Sequence, residues 1–558
     1  MAGGILDLVA TGSQDIILIG NPEKTFFKAK YSKYTNFGMQ KFRIDYNGLR
    51  TLKLTDESVF KFKIPKYADL LMDTYVVVNL PHIWSPIYPP QTSDEEWRGY
   101  DFQWIKNLGT QMIKEISISA CGQLLQKYSG SYIQNMVNRD YSSSQRNLFD
   151  EMTGNAKECY DPSNVNDRIN TYPNAYYTSA RVGSYPSING RKLYIPINTW
   201  FSQSSKMAFP LSSLYNNDLH ITVTLRPISE LFTIRDITNI TDYYPRVAPN
   251  FTKAEMGFYR FLQTPPSESI LDEDYADRRI LWNADVHLYS TYCFLSEDEG
   301  ELFKSREQQY LIKVVHEHVF NDIVGTKKLP IDSTGLVSNW MFTLERNDID
   351  LRNEWSNYTN WAYDYLPLNV TLAVDEGNHK YLDYDNENLL ADFQYGIGAG
   401  LNPNGEDTGL FITDVYTKDN EKKILQEFGI VFDGQYRENL MDSGIYEYIE
   451  PHYKSKGTNM NGLYTYNFSL NSNPFELQPS GAVNLTMFKK VELEVTTFTP
   501  SLDENAQVLT VCDADGVIIG INKPSWIIYD YTYTLRLYEE KYNILTFNSG
   551  NCGYMFVR

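Results

Sequence analysis

Two stretches in different halves of the chain carry the same succession of signals, and this duplication constrains the fold most. The first runs Lys192-Leu193-Tyr194-Ile195-Pro196, then a turn at Phe209-Pro210-Leu211-Ser212. It ends with Leu219, Ile221, Val223 and Leu225 alternating with His220, Thr222 and Thr224. The second runs Leu463-Tyr464-Thr465-Tyr466-Asn467-Phe468, then a turn at Leu477-Gln478-Pro479-Ser480-Gly481. It ends with Val491, Leu493 and Val495 alternating with Glu492 and Glu494. Period-two alternation sends successive side chains to opposite faces of a strand. Both stretches therefore read as strand, proline–serine turn, alternating strand, and the chain reads as two copies of one β-fold.

The remaining signals agree. Phe60, Phe62 and Ile64 alternate with Lys61 and Lys63, and Ile116 and Ile118 with Ser117 and Ser119. Thr74-Tyr75-Val76-Val77-Val78-Asn79-Leu80 reads as a strand buried on both faces. Asp515-Gly516 between two apolar runs is a hairpin signal. Aromatics make up 14% of the chain and charged residues 22%, a mix that suits pleated strands better than helical bundles. Helical signals are few: one or two short helices within Ser131–Asn155, and one over Glu297–Arg306 opened by a Ser296/Glu299 capping box. The polar stretches 129–192 and 375–422 are too long for ordinary connections and read as surface excursions. Prolines 227, 245, 249, 265 and 266 place the boundary between the two copies within 228–282.

The charge pattern excludes several functions. A net charge of −20 disfavours nucleic acid as a direct partner. No run of 18 apolar residues suggests a membrane span, and the first residues do not form a secretory signal. Residues 22–66 differ from the rest: eleven Lys/Arg face four acids, +7, leaving −27 elsewhere. That segment is either a solvated strand face or a docking edge for an acidic partner or an anionic membrane. Cys121, Cys159, Cys293, Cys512 and Cys552 are widely spaced, which points to reduced thiols rather than a disulfide framework or zinc knuckle.

No catalytic signature emerges. Gly396-x-Gly398-x-Gly400 runs into a turn at Asn402-Pro403-Asn404-Gly405, which is unlike a dinucleotide loop. His316-Glu317-His318 would place two imidazoles on one strand face, but a metal site needs a third ligand. Asp383–Glu387 and Glu297-Asp298-Glu299 lack the spacing of a calcium loop. Sequons at Asn239, Asn250, Asn357, Asn369, Asn467 and Asn484 carry little weight without a secretory signal, and Asn484 is expected beside a core strand. No cofactor, metal or catalytic residue is assigned.

The opening Met1-Ala2-Gly3-Gly4-Ile5-Leu6-Asp7-Leu8-Val9-Ala10, then Gly20-Asn21-Pro22, Thr25-Phe26-Phe27-Lys28 and Tyr34-Thr35-Asn36-Phe37, resembles the N-terminus of the major capsid proteins of nucleocytoplasmic large DNA viruses. Trp104-Ile105-Lys106-Asn107-Leu108-Gly109, Trp200-Phe201, Phe294-Leu295, Tyr466-Asn467-Phe468-Ser469-Leu470 and Tyr542-Asn543-Ile544-Leu545 continue the resemblance in the family's order. The resemblance implies an all-β chain of two tandem eight-stranded antiparallel jelly rolls with long surface loops and a few short helices. The expected parts are an N-terminal arm at 1–27, a first roll at 28–228, a linker and entry at 229–282, and a second roll at 283–558. The implied function is a structural subunit of an icosahedral capsid, without enzymatic activity. Three chains would form a pseudo-hexagonal capsomer in the outer shell of a virion assembled in the host cytoplasm. Implied partners are two further copies, neighbouring capsomers, minor capsid and penton proteins, and an inner viral membrane. Lys24, Lys28, Lys30 and Lys33 are expected to face the capsid interior. Rival readings are a jelly-roll glycan-binding protein for host attachment and a carbohydrate-active enzyme on a β-sandwich.

Overall fold

A computed structural model describes residues 3–88, 98–168, 171–177, 185–238, 246–266, 274–280, 282–361, 399–401, 407–411, 422–500, 509–512, 518–522 and 531–556. Gly396, Gly398, the sequons at Asn239 and Asn369, and Asp383–Glu387 lie outside these residues.

Sixteen main strands fall into two sets of eight. The first set is β1 (Phe37–Asp45), β2 (Ser58–Lys63), β3 (Leu70–Asn79), β4 (Ile113–Ala120), β5 (Gln123–Tyr128), β6 (Lys192–Pro196), β7 (Leu219–Leu225) and β8 (His287–Leu295). One sheet runs β1-β8-β3-β6, and the facing sheet runs β2-β7-β4-β5. The second set is β9 (Gln308–Ile323), β10 (Thr326–Ile331), β11 (Leu336–Arg346), β12 (Leu425–Phe432), β13 (Gln435–Asp442), β14 (Leu463–Asn467), β15 (Val491–Thr497) and β16 (Tyr533–Asn548). Its sheets run β9-β16-β11-β14 and β10-β15-β12-β13. Counted within each set, both halves have the strand orders 1-8-3-6 and 2-7-4-5, with antiparallel pairing throughout. This is the jelly-roll arrangement of two Greek keys in two sheets. The duplicated sequence signals lie at the sixth and seventh strands of each roll.

The alternation is realised locally. In β2, Ser58, Phe60 and Phe62 are buried while Val59, Lys61 and Lys63 are exposed; in β7 the same rhythm buries Leu219, Ile221, Val223 and Leu225. Val76, Val77 and Val78 of the central strand β3 are all buried, as their unbroken apolar run requires. The strands flanking Asp515-Gly516 pair as Leu509–Cys512 with Ile518–Asn522.

Strand pairing moves the domain boundary. β8 lies between β1 and β3, with Tyr289 opposite both Arg43 and Tyr75. The first roll therefore closes at Leu295 rather than at 228, and 229–282 is the connection between its seventh and eighth strands rather than a linker. Prolines mark a connection but do not say whether it joins two domains or two strands of one. This connection is itself packed: Phe232, Phe258, Phe261 and Trp282 are buried against Phe102 and Trp104.

Two helices stand in the excursion expected after Ser129: α1 (Gly130–Asp140) and α2 (Ser143–Thr153). The Gln145 side chain closes back onto the Ser142 backbone N–H at 3.2 Å. A third, α3 (Glu297–Ser305), follows β8; the expected side-chain cap from Ser296 does not form. In α1 every residue but Ser131 is buried. Such a helix has no solvent face, so it must pack on all sides. Its entry needs a glycine, because a Cβ at Gly130 would lie 1.9 Å from the Thr110 carbonyl oxygen.

Candidate assembly site: a closed seam and an open arm

The two rolls are not beads on a string. One continuous apolar cluster holds the first roll's core together with Ile312, Val314, Met341, Tyr538, Leu545 and Phe547 of the second. The second roll has a separate core around Trp340, Phe342, Phe428, Leu493, Leu535 and Leu537. β11 and β16 therefore work on both faces. Trp340, Phe342, Leu535 and Leu537 point into the second roll, while Met341 and Tyr538 meet the first.

Two adjacent acids in β16 show this division. Glu539 belongs to the second roll: it accepts hydrogen bonds from Ser333 Oγ at 2.7 Å and Trp340 Nε1 at 2.9 Å, and lies 3.1 Å from Lys541 Nζ. Burial alone would raise its titration point. His318 at 3.7 Å, Lys541, Ser333 and Trp340 outweigh burial and push it down to about 2.

Glu540 faces the seam. Its Oε1 accepts from Arg139 Nη2 at 2.8 Å and Tyr132 Oη at 3.0 Å, and its Oε2 accepts from Asn339 Nδ2 at 2.9 Å. Arg139 sits at the end of α1, fully buried, and also holds Asp140 Oδ2 at 2.7 Å and Asn339 Oδ1 at 3.0 Å. Ser472 Oγ donates to Asp140 Oδ1 at 2.6 Å. Burial opposes ionisation of both carboxyls. At Glu540 the Arg139 and Lys313 charges prevail and hold it below the usual carboxylate range, whereas at Asp140 burial prevails and raises it. The network joins α1 to β11, β16 and the loop after β14, so it fixes one roll against the other.

Further clamps flank it. Trp355, on the loop after β11, donates Nε1–H to the Glu230 carbonyl at 2.9 Å and lies under the Arg226 guanidinium, 3.9 Å from the ring centre. Asn353 Nδ2 reaches the Ser229 and Phe232 carbonyls at 2.8 Å each. At the other end Asn217 Nδ2 donates to the Gly550 carbonyl at 3.0 Å, and Tyr554 Oη donates to the Leu125 carbonyl.

The N-terminal arm is the opposite kind of surface. Two short helices, Gly4–Val9 and Ile16–Ile19, bury none of their side chains. Leu18 is 88% exposed and Phe27 98%. The first strand begins only at Phe37, so the arm extends past the expected end at 27 and carries Lys24, Lys28, Lys30 and Lys33; among the described residues none of them makes an ion pair. Part of the remaining basic segment is paired within the chain: Arg43 and Arg50 share Asp45 and Asp285, and Lys63 and Lys66 share Asp218, while Lys41, Lys53 and Lys61 are exposed.

The other sequence candidates do not assemble into a site. His316 is exposed and His318 half-buried on β9, and no cluster of three metal-ligating side chains occurs among the described residues. Asn357 and Asn467 are buried, whereas Asn484, expected beside the core, is exposed with its Oδ1 accepting from the Thr486 N–H at 3.1 Å. Among the described residues no helix is long and apolar enough to cross a bilayer. The seam residues were the main omission from the sequence reading. Their signal was Glu539-Glu540 side by side in a strand that begins Tyr533-Thr534-Leu535-Arg536-Leu537-Tyr538: alternation sends two adjacent acids to opposite faces, so at least one goes inward, where it needs a cation.

Two jelly rolls of one topology, fused side by side, define the double jelly-roll class. Residues 25–258 match the family described as major capsid protein N-terminus, and residues 299–553 match the large eukaryotic DNA virus major capsid protein. The chain belongs to this family of major capsid proteins, and its function is to form the capsid shell. The major capsid protein of Phaeocystis pouchetii virus is 23% identical, covering 99% of each chain. A protein described as probable capsid protein 4 of Acanthamoeba polyphaga mimivirus is 22% identical, covering 89% of this chain and 93% of its own. In structure, a chain of the PBCV-1 virus capsid superposes with a TM-score of 0.59 at 16% identity, covering 96% of this chain and 100% of its own. The Faustovirus major capsid protein gives 0.58 at 14% identity, covering 96% and 94%.

Proposed function

We propose that this chain acts by assembly rather than turnover, as a homotrimer whose six rolls give a pseudo-hexagonal capsomer that tiles an icosahedral outer shell. One observation carries the reading: both halves have the same strand order and are fixed to each other by a buried seam. A rigid pair of similar bodies lets threefold symmetry generate an outline close to sixfold. The trimer interface is expected to be large and apolar at its centre, above about 2,000 Å². Contacts between capsomers are smaller and more polar, so misplaced units can leave during growth.

The arm is the inward-facing part. Lys24, Lys28, Lys30 and Lys33 are uncompensated and stand among exposed apolar side chains, a combination that suits minor capsid proteins or an anionic inner membrane. Assembly takes place in the host cytoplasm, where the thiols stay reduced. The purified protein should have a native mass of three chains of 64.6 kDa. Trimers should survive molar salt while arrays of trimers dissociate. A monomer at micromolar concentration, or equal salt sensitivity of trimers and arrays, would overturn this reading.

A further inference from the structure

Cys121 and Cys552 lie 431 residues apart in the chain, yet their sulfurs are 3.5 Å apart across the seam. Cys121 belongs to the first roll, in the two-residue turn between β4 and β5, where Ala120 pairs with Gln123. Cys552 lies on the last short strand, Asn551–Tyr554, which pairs with β16 of the second roll. Both are unbridged, and the Cys552 backbone N–H points at the Cys121 sulfur at 3.1 Å.

The turn makes this meeting conspicuous. Cys121 has φ of 54° and Gly122 φ of 75°. A two-residue hairpin turn with both φ values positive favours Asn-Gly or Gly-Gly, and a cysteine in its first position is strained. The strained position is the one that carries the thiol to its partner. Cys121 is half-buried, so small oxidants can reach it, while Cys552 is buried beneath it. Burial, with Cys121 alongside, raises the Cys552 thiol, so the more accessible Cys121 is the one placed to react first.

We propose that Cys121 and Cys552 are a redox-closed staple: a dithiol while the subunit folds in a reducing compartment, and a disulfide across the seam once it meets oxidising surroundings. The pairing rests on the geometry alone; the change of surroundings rests on the capsid reading. A low-molecular-weight disulfide such as oxidised glutathione supplies the oxidation. The Cys121 thiolate attacks one of its sulfurs and displaces one glutathione thiolate. Cys552 then loses its proton and attacks the Cys121 sulfur of the mixed disulfide, expelling the second glutathione. Two protein thiols are oxidised by two electrons, and one glutathione disulfide is reduced to two thiols.

The test uses the purified full-length protein incubated with oxidised glutathione, then denatured and alkylated without reductant. The expected chain is about 2 Da lighter than the reduced one before alkylation. It should carry three alkyl groups instead of the five expected from its cysteine count. One cross-linked peptide should join Cys121 to Cys552. Cys121→Ser should remove that peptide and restore a fourth alkylation site, and Cys293→Ser should leave the bridge intact. Five alkylated thiols in the wild-type chain, a persistent glutathione adduct on Cys121, or a bridge between other cysteines would each overturn the proposal. Because these readouts concern single chains, they are independent of whether the protein forms trimers.

Discussion

The seam and the arm are both charged and both lie outside the two sandwich cores, yet they are built on opposite terms. In the seam each charge has its partner within the chain: Arg139 is held between Asp140 and Glu540, with Tyr132, Asn339 and Ser472 completing the shell. In the arm the lysines and the apolar side chains face solvent together. A buried ion network adds little net stability over an apolar interface, but it penalises any other arrangement, because each displaced charge would stay buried without a counter-charge. The seam therefore fixes geometry within one chain. The arm's two short helices bury no side chain in the single chain, so the arm fixes nothing within it and is the surface the proposed inward contacts would use.

Removing the central cation should have the largest effect. Arg139→Met keeps much of the side-chain volume but leaves Asp140 and Glu540 facing each other without their guanidinium. The expected loss is about 3–5 kcal/mol, read as a lower urea midpoint of the purified protein. The double change Arg139→Met with Glu540→Gln should recover part of the loss. If the double variant were as unstable as the sum of its parts, the two groups would not be coupled.

Acid should come next. Glu539 titrates at about 2 in the folded chain, against 4.5 for the ordinary side chain. A depressed folded-state value means stabilisation that is complete above the unfolded value and is lost as pH falls from about 4.5 toward about 2, roughly 3 kcal/mol in all. Urea midpoints of the wild type and Glu539→Gln should differ at pH 7 and converge as pH drops below 4.5. A difference independent of pH would show that the Glu539 charge contributes nothing.

A smaller effect is expected at the clamp on the far side of the seam. Trp355→Phe removes the hydrogen bond to the Glu230 carbonyl and weakens the stacking on Arg226. About 1 kcal/mol should be lost, with limited proteolysis showing earlier cutting in the loop that carries residue 355.

The same contrast separates what could be read from the sequence from what could not. The β-fold and its duplication were legible because alternation at Leu219–Leu225 and Val491–Thr497 is a local signal. The boundary was not, because β8 returns to pair with β1 across some 240 residues of chain, and pairing partners leave no mark in their own composition. Arg139 and Glu540 read as ordinary charges on a helix and a strand; only the packing of α1 on β16 makes them one network. On the arm the reverse held. Lys24, Lys28, Lys30 and Lys33 stood out as part of a basic segment, yet the structure shows that the segment is two things. From Arg43 onward Arg43, Arg50, Lys63 and Lys66 are paired with Asp45, Asp218 and Asp285 on the folded roll, whereas the first four lysines precede β1 and stand among exposed apolar side chains.

The smallest effect on folding is expected at these four lysines, and there the comparison is sharpest. Replacing Lys24, Lys28, Lys30 and Lys33 together by glutamate changes the arm by eight charge units, with no ion pair among the described residues to break. The urea midpoint should move by less than about 0.5 kcal/mol equivalent, because exposed, unpaired positions contribute little to stability. Trimer mass should likewise be unchanged. Shell formation should fail, because an acidic arm would be repelled by an anionic membrane or an acidic inner protein instead of drawn to it. A single reversal at Lys24 should give partial assembly that improves as salt rises, since screening weakens repulsion over a Debye length of about 10 Å at 0.1 M. Normal shells from the fourfold variant would mean that the arm lies outside the assembly contacts. Collapse of the trimer itself would mean that the arm completes the capsomer rather than the shell.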